Sequence, residues 1–335
     1  MVRPIELVNR LISIWPLEVN KHPIESQMRP FHRVLMFILV SILSTAVTAD
    51  VIHHWGSMHE VTECALIASA FYLSTLRLAV YTIHEEELKY VVDTMRSDWF
   101  ESCKEDIAMF KKKCLFGFQL AKHFIVTVVV ALTVFILAPG LQGTDERVLP
   151  FRGYFFQNQM NSPYYEYLYA FEIIAGLLGG STISAATSLN LLIVMHGAAK
   201  FSIVREKLKS LKSDDINIKD HLANCVRLHQ DAILFADRAE NIINILALGQ
   251  FVISTGLVCF AGFQITSSEA IGESVYESDW VGGDYTQNMN IIMLRSIAPN
   301  KITAGKFYDM SLKSFASVLS TSFTYFTVLQ AVNDE

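Results

Sequence analysis

The stretch HFIVTVVVALTVFILAPG, residues 123–140, decides the fold of this chain. It contains no Asp, Glu, Lys or Arg and consists mostly of aliphatic and aromatic residues. A bilayer core of about 30 Å is crossed by roughly 20 apolar residues in a helix, so the stretch predicts a membrane-spanning helix. The composition agrees, because 52% of the 335 residues are hydrophobic and only 18% are charged, whereas soluble domains carry roughly a quarter charged residues.

Other apolar runs of similar length occur along the rest of the chain. The further predicted spans are residues 34–52, 64–83, 173–196, 244–266 and 309–332. The sequence therefore predicts an all-α fold, a polytopic membrane helical bundle that forms a single domain over residues 1–335.

The basic residues predict the orientation of this bundle in the lipid bilayer. Residues 1–33 hold five Lys and Arg, the loop 84–122 holds seven, and residues 197–241 hold eight. The alternate loops, 53–60 and 139–170, hold none and two. An excess of Lys and Arg marks the cytoplasmic side, so the N-terminus and the loops 84–122 and 197–243 are predicted to be cytoplasmic. This orientation counts against a G-protein-coupled receptor.

The two cytoplasmic loops show helical periodicity and are predicted to form helices that extend beyond the membrane. They would pack against each other or against a neighbouring subunit, although ordinary surface helices fit the periodicity equally well. The apolar positions are Leu88, Val92, Met95, Trp99, Ile107, Phe110 and Cys114 in the first loop, and Leu222, Val226, Ile233 and Ala236 in the second.

Several function classes find no support in the sequence. The net charge of −6 gives no footprint for nucleic acid, and no nucleotide-binding or hydrolase motif occurs. We therefore predict that the chain is not an enzyme and needs no cofactor. His53, His54 and His59 are interpreted as a polar turn between two spans rather than as a metal site.

The fourth span contains Gly176 and Gly180 at the spacing that lets helices approach closely. Close helix packing is the favoured interpretation. A gap for a ligand beside the glycines is the alternative.

The last predicted span carries a stripe of hydroxyl residues. Ser314, Ser317, Thr321 and Thr324 share one helix face, and the same face continues to Val328 and Val332. Several copies around an axis would give a wet conduit closed by valines, because apolar constrictions gate by dewetting. The alternative, which periodicity alone favours, is that the hydroxyls mediate helix packing.

Three stretches resemble the insect odorant receptor family. They are residues 222–237 (LANCVRLHQDAILFAD), residues 267–280 (SSEAIGESVYESDW) with the run 302–315, and the ending SFTYFTVLQ at 322–330. The resemblance implies a seven-span fold with a cytoplasmic N-terminus. It implies a ligand-gated non-selective cation channel, a hetero-tetramer of an odorant-binding subunit and the olfactory co-receptor in the dendrite membrane of olfactory neurons. The ligand would be a small volatile odorant.

The family resemblance also implies site residues. The pore and gate would be formed by Ser317, Thr321, Thr324, Val328, Leu329 and Val332. The odorant pocket would lie in the outer half of the membrane, and the candidates there are Phe71, Tyr72, Leu132, Phe135, Tyr169 and Ile173. An apolar pocket of this kind would select ligands mainly by shape.

The chain departs from the family pattern after Thr266, where the sequence passes directly to a motif that follows the sixth span in the family. Roughly fifty residues, enough for one span and its flanking loop, are missing by this comparison. The last helix would then run inward. A shortened or poorly functional form is expected. A gustatory-type receptor, a transporter and a non-conducting partner of the co-receptor are the alternatives.

An epitope tag at the C-terminus tests the six-span topology. We expect the tag to stain only after permeabilisation, because an even number of spans returns the chain to the cytoplasmic side. An N-terminal tag should behave in the same way, and surface biotinylation verifies that the protein reaches the plasma membrane. Staining of the C-terminal tag in intact cells would contradict the missing span.

Overall fold

A computed structural model describes residues 3–16, 23–55, 58–102, 104–141, 147–156, 158–211, 217–277, 303–304, 308–309, 316–317, 320–321, 324 and 327. The helices in these ranges are α1 (Arg3–Leu11), α2 (Pro23–His53), α3 (Met58–Ile83), α4 (Glu85–Glu101), α5 (Lys104–Leu141), α6 (Tyr164–Lys209) and α7 (Ile218–Glu277). Two short strands, β1 (Thr303–Ala304) and β2 (Tyr308–Asp309), pair antiparallel, with Thr303 opposite Asp309. The fold class predicted from the sequence, an all-α membrane bundle, is confirmed.

Four helices among the described residues are long and apolar enough to cross a membrane. The apolar segments are Ile24–His53, Glu63–Ile83, Asp106–Leu137 and Tyr164–Lys209. Each overlaps one of the spans predicted from the sequence. The predicted span 244–266 lies within α7, and most of the predicted span 309–332 lies outside the described residues.

The chain divides into two compact units, one formed by residues 1–53 and 67–250 and the other by residues 54–66 and 251–335. In the first unit α6 is the central helix and α5 is peripheral. In the most apolar 18-residue segment of α6, 56% of the residues are buried, whereas in the corresponding segment of α5 only 6% are buried. The valines of α5, such as Val126, Val130 and Val134, are more than half exposed. They form the surface that an apolar solvent such as lipid would cover.

The main apolar core lies towards the predicted cytoplasmic side and combines side chains from each of the helices α1 to α7. Its largest fully buried members are Ile5, Ile12, Ile14, Met36, Tyr81, Leu88, Leu189, Ile193, Phe235 and Ile242. Leu88, Val92, Met95, Phe110 and Cys114 are all buried, so the face predicted for the first cytoplasmic loop is confirmed. The loop contains two helices rather than one, since α4 ends at Glu101 and α5 begins at Lys104.

The second cytoplasmic loop forms the predicted helix, but the apolar face predicted for it is not buried within this chain. Leu222, Val226 and Ile233 are each more than 40% exposed. A different stripe of α7 is buried instead, and it consists of Cys225, Ala232, Phe235 and Ala239. Small side chains hold most of these positions because α7 packs closely there, and hydropathy alone favours the larger aliphatic residues.

The N-terminal segment is part of the folded core, which the sequence did not indicate. The side chain of Asn9 donates to the carbonyl of Ala185 in α6 at 3.3 Å. Arg29 donates to the carbonyls of Ser13 and Ile14, each at 3.0 Å. These bonds satisfy polar groups that would otherwise be buried without a partner beneath α6.

Glu85, at the start of α4, forms ion pairs with two arginines of α2. Its two oxygens lie 2.9 Å from Arg29 and 2.6 Å from Arg33. Burial opposes ionisation of Glu85, but the hydrogen bond from Arg33 and the charge of Arg29 outweigh it. They hold the pKa of this carboxyl below its usual range. The pair of arginines therefore links the N-terminal segment, α2 and α4.

A second ionic cluster joins α4 to the cytoplasmic end of α6. Nε2 of His196 and Nζ of Lys200 each lie 2.8 Å from the same carboxylate oxygen of Asp98. The His196 ring is fully buried and stacks on Phe110, with 4.5 Å between centroids. Burial disfavours the charged form of Asp98, but the hydrogen bonds from His196 and Lys200 lower the pKa of this carboxyl overall.

Replacing the charge of Asp98 should destabilise the fold at neutral pH. Asp98→Asn is expected to lower the free energy of unfolding by about 2 kcal/mol, because a charge-assisted hydrogen bond to buried groups is lost. A carboxyl with a depressed pKa contributes stability above its ordinary pKa and loses it as the pH falls through the folded-state value. The difference from the wild type should therefore shrink below about pH 4.

Thermal unfolding of the purified protein in detergent, followed by tryptophan fluorescence over a pH series, measures this difference. Asp93→Asn on the same helix is the matched control. Its side chain is 50% exposed and lies 3.7 Å from Arg96, so the substitution should have little effect. An Asp98→Asn variant as stable as the control at pH 7 would contradict the assigned role.

Candidate functional site

Three glycines expose the backbone of α6 on one face, here called the glycine face: Gly176, Gly179 and Gly180, all buried. A Cβ atom at Gly176 would overlap the ring of Phe151, and one at Gly180 would overlap a methyl of Leu132. A Cβ at Gly179 would lie 2.8 Å from the ring of Phe71. The glycines therefore admit side chains from three other parts of the chain. This arrangement is closer to the favoured prediction of helix packing than to an open gap.

Phe71 of α3, Leu132 of α5 and Phe151 rest on the glycine face. Together with Phe135 of α5, which stacks on Phe151, they are here called the aromatic cluster. The rings of Phe71 and Phe151 meet edge to face, with centroids 5.3 Å apart and planes at 87°. Phe135 stacks on the other side of Phe151, at 5.8 Å and 18°. Both geometries are favourable for aromatic rings. Phe151 is thus the member that joins α3 to α5.

Phe151 belongs to the outer loop, residues 147–163, of which all but residue 157 are described. A buried carboxylate fixes this loop, since Oε2 of Glu172 accepts the Phe151 N–H at 2.9 Å. Oε1 of Glu172 faces the backbone of Gly153 without a well-aligned hydrogen bond. Between these contacts Arg152 has a φ of 53°, a conformation that is unfavourable for a residue with a side chain.

The rest of the outer loop is tied to α2 and to itself. The Tyr154 N–H donates to the carbonyl of Ala46 at 3.0 Å. The side chain of Gln159 accepts from the Phe155 N–H at 2.7 Å and donates to the Gly153 carbonyl at 3.0 Å. The loop therefore has a defined course over the aromatic cluster.

The structure brings three of the six predicted pocket residues together, namely Phe71, Leu132 and Phe135. Tyr72 instead contacts α2, where its hydroxyl lies 3.1 Å from that of Thr48. The hydroxyl of Tyr169 donates to the carbonyl of Ile136 at 2.8 Å. Ile173 is half-buried beside Glu172 on α6. The odorant pocket stays a prediction.

The sequence analysis missed Phe151 and Glu172. Phe151 lies in a loop, where an aromatic residue carries no periodic signal that would assign it to the core. Glu172 could have been found, since a carboxylate next to the start of an apolar span is a marker of a special role.

The predicted pore residues are described only in part. Ser317, Thr321 and Thr324 are helical and exposed. The hydroxyl of Thr324 donates to the Ser320 carbonyl at 2.9 Å, which is the local bond expected of a hydroxyl in an apolar helix. Val328, Leu329 and Val332 lie outside the described residues.

Long apolar helices around a central helix, with a loop folded over one end, define a polytopic membrane protein of the helical bundle class. The chain belongs to the 7tm Odorant receptor family, whose sequence model matches residues 57–268 and 265–323. It is therefore an odorant receptor family member, as the sequence resemblance predicted.

Individual relatives agree with the family assignment. The chain is 22% identical to Odorant receptor 13a of Drosophila melanogaster over 398 residues, covering 98% of this chain and 95% of the relative. It is 19% identical to Odorant receptor 10 of Aedes albopictus, covering 90% and 92% of the two chains.

Solved structures share the fold. The insect olfactory receptor OR5 from Machilis hrabei superposes with a TM-score of 0.61 at 16% identity, covering 99% of this chain and 97% of that receptor. A second structure of the same receptor, in complex with eugenol, gives a TM-score of 0.60 at 15% identity.

Filling the glycine face should disturb the aromatic cluster. Gly176→Ala is expected to destabilise the protein by about 1–3 kcal/mol, because the added methyl would displace a ring held by a fixed loop. Gly256→Ala is the matched control. Its added methyl would meet open space, so it should be neutral or slightly stabilising in a helix. Thermal unfolding measures both variants, and equal stability would contradict the close packing.

Proposed function

We propose that this chain is the odorant-binding subunit of a ligand-gated, non-selective cation channel that assembles with the olfactory co-receptor. The observation that carries the proposal is the convergence of Phe71, Leu132 and Phe151 on the glycine face of α6, with Phe135 stacked on Phe151, within a member of the odorant receptor family. Residues from two helices and a loop line one small apolar region there. A volatile ligand has little else to offer a protein than shape and apolar surface.

The ligand is proposed to be a small volatile odorant that binds at the aromatic cluster. The structural relative from Machilis hrabei was solved with eugenol, and ligand binding is extended to this chain as part of the proposal. Tyr72 lies on α3 with Phe71, and Tyr169 and Ile173 lie on α6 close to Glu172. We therefore keep these three residues as candidates for the rim of the same site.

The pore is proposed to run along the last helix of each subunit. Ser317, Thr321 and Thr324 are exposed in the single chain, so their face is available to an ion path in a hetero-tetramer. Val328 and Val332, with Leu329 beside them, are proposed as the apolar gate. The plasma membrane of the olfactory neuron dendrite is the proposed location.

The form with 335 residues is proposed to lack the sixth span of the family. Two observations support this. The family match falls into two segments that meet at residues 265–268, where the sequence analysis places the gap. The alignment with Odorant receptor 13a, at 398 residues, is longer than the chain, so part of the relative has no counterpart here.

The missing segment has a mechanical consequence. Helix α7 continues without a break from Ile218 to Glu277, so the motif that begins at Ser267 extends the fifth span directly. With one span fewer, the last helix enters the membrane from the opposite side. A pore helix in that direction would present its gate to the cytoplasm, and we propose that this form conducts poorly or not at all.

Odorant-evoked currents test the function and the missing span together. The co-receptor is expressed with the chain as it stands, or with a chimaera that carries the sixth span of Odorant receptor 13a between Thr266 and Ser267. A panel of small aromatic and terpenoid volatiles is applied under voltage clamp. We expect no current above that of the co-receptor alone for the chain as it stands, and currents several-fold above it for the chimaera.

The remaining outcomes have distinct meanings. A robust current from the chain of 335 residues would sink the claim that the missing span disables it. A chimaera that reaches the surface, as shown by biotinylation, but gives no current would rule out the proposal that this chain is a channel subunit. If the silent chain also changes the surface level of the co-receptor, a non-conducting partner becomes the better description.

A further inference from the structure

Phe151 lies where the candidate odorant site is expected, although it comes from a loop. Its side chain is only 4% exposed. One edge faces Phe71 and one face covers Phe135, while the tip of the ring rests on the bare backbone of Gly176. The space between α3, α5 and α6 is therefore filled by an aromatic ring already.

The position that this ring occupies, here called its seat, is bordered on one side by the backbone of α6 rather than by a mobile side chain. Gly176 has no Cβ, and a methyl group there would occupy the position of the Phe151 ring. One turn further along α6, Gly180 accepts Leu132 in the same manner. A flat ring fits the first position because its neighbours are a helix backbone and two aromatic planes.

We propose that Phe151 is a resident occupant of the odorant recess and that a ligand binds by taking the place of its ring. This inference rests on the proposed function, because it assumes that the aromatic cluster is the odorant site. It assigns the ligand class: flat, apolar volatiles about the size of a single aromatic ring. Phe151 is then the residue that sets both affinity and size selection.

Phe151 can leave the recess more easily than the other members of the cluster. Phe71, Leu132 and Phe135 are carried by α3 and α5, so their backbone positions are fixed unless a whole helix shifts. Phe151 is carried by a loop whose next residue, Arg152, has an unfavourable positive φ. Strain of this kind favours rearrangement once the ring loses its seat.

Glu172 opposes that rearrangement. Its carboxyl group is fully buried and accepts the backbone N–H of Phe151, so the loop cannot lift without leaving a buried polar group with one hydrogen bond fewer. The carboxylate lies four residues, about one helical turn, before Gly176 on the same face of α6. Loop and ring are therefore held at adjacent positions, and a ligand must displace the ring against this restraint.

The exchange predicts a specific affinity difference. In the wild type, burial of the ligand is offset by exposure of the Phe151 ring. Removing the ring abolishes that competition, and Phe151→Ala should bind a ring-sized apolar ligand about 10- to 100-fold more tightly.

Benzene is the probe, because it has the size of the missing ring and no polar group. The full chain is purified in detergent, and its thermal midpoint is measured with and without benzene. At about ten times the dissociation constant, benzene should raise the midpoint of Phe151→Ala by about 3 °C. The wild type should show a much smaller shift.

Three controls isolate the recess. Phe156→Ala removes a 39% exposed ring from the same loop, and its benzene shift should match the wild type. The double variant Phe151→Ala with Gly176→Leu refills the seat and should lose the effect. Phe151→Leu leaves a smaller cavity and gives an intermediate shift, so it serves if the alanine variant does not fold.

A benzene shift that is equal in the wild type, Phe151→Ala and Phe156→Ala would overturn the inference. The same substitution in the chimaera with the sixth span should lower the half-maximal concentration of aromatic odorants 10- to 100-fold, and an unchanged response would also overturn it. Benzene binding to Phe151→Ala alongside a silent chimaera would support the recess while removing the proposed function, so the two failures are distinguishable.

Discussion

The contact between a bare stretch of helix backbone and the side chains that rest on it organises one end of the first unit of this protein. Because Gly176, Gly179 and Gly180 carry no side chains, Phe71, Leu132 and Phe151 reach the axis of α6. Three separate parts of the chain are thereby fixed relative to one helix. The loop that follows α5 is drawn over the bundle by the same contact, and the carboxylate of Glu172 holds it there. Apolar packing and one buried hydrogen bond thus act on the same few residues.

The opposite end of the first unit follows different physics. There the helices leave the apolar region, and charged residues join them in groups rather than singly. Glu85 serves two arginines of α2, and Asp98 serves His196 and Lys200 of α6. Each acidic residue belongs to α4, so this short helix connects the N-terminal segment, α2 and α6. In both groups the acidic residue has two cationic or hydrogen-bonding partners, which offsets the cost of removing its charge from water.

The sequence predicts the elements of this fold better than their contacts. Apolar runs such as 123–140 specify membrane helices because length and hydropathy are enough to recognise them. The buried face of α7 could not be recognised, since Cys225 and Ala232 are less apolar than the exposed Leu222 and Val226. Three of the four members of the aromatic cluster were predicted, because Phe71, Leu132 and Phe135 lie on helices with a clear register. Phe151 could not be, since its position depends on a loop course set by Glu172 and by the strained backbone at Arg152.

Helix α6 runs without interruption from Tyr164 to Lys209, 46 residues, which corresponds to about 69 Å at 1.5 Å per residue. Gly176 and His196 are thus two points on one rigid rod, about 30 Å apart along its axis. A tilt of about five degrees pivoting at the glycine face would carry the His196 end sideways by about 3 Å, roughly the length of a hydrogen bond. A small tilt of α6 at the glycine face therefore has the amplitude needed to make or break an ionic contact near His196.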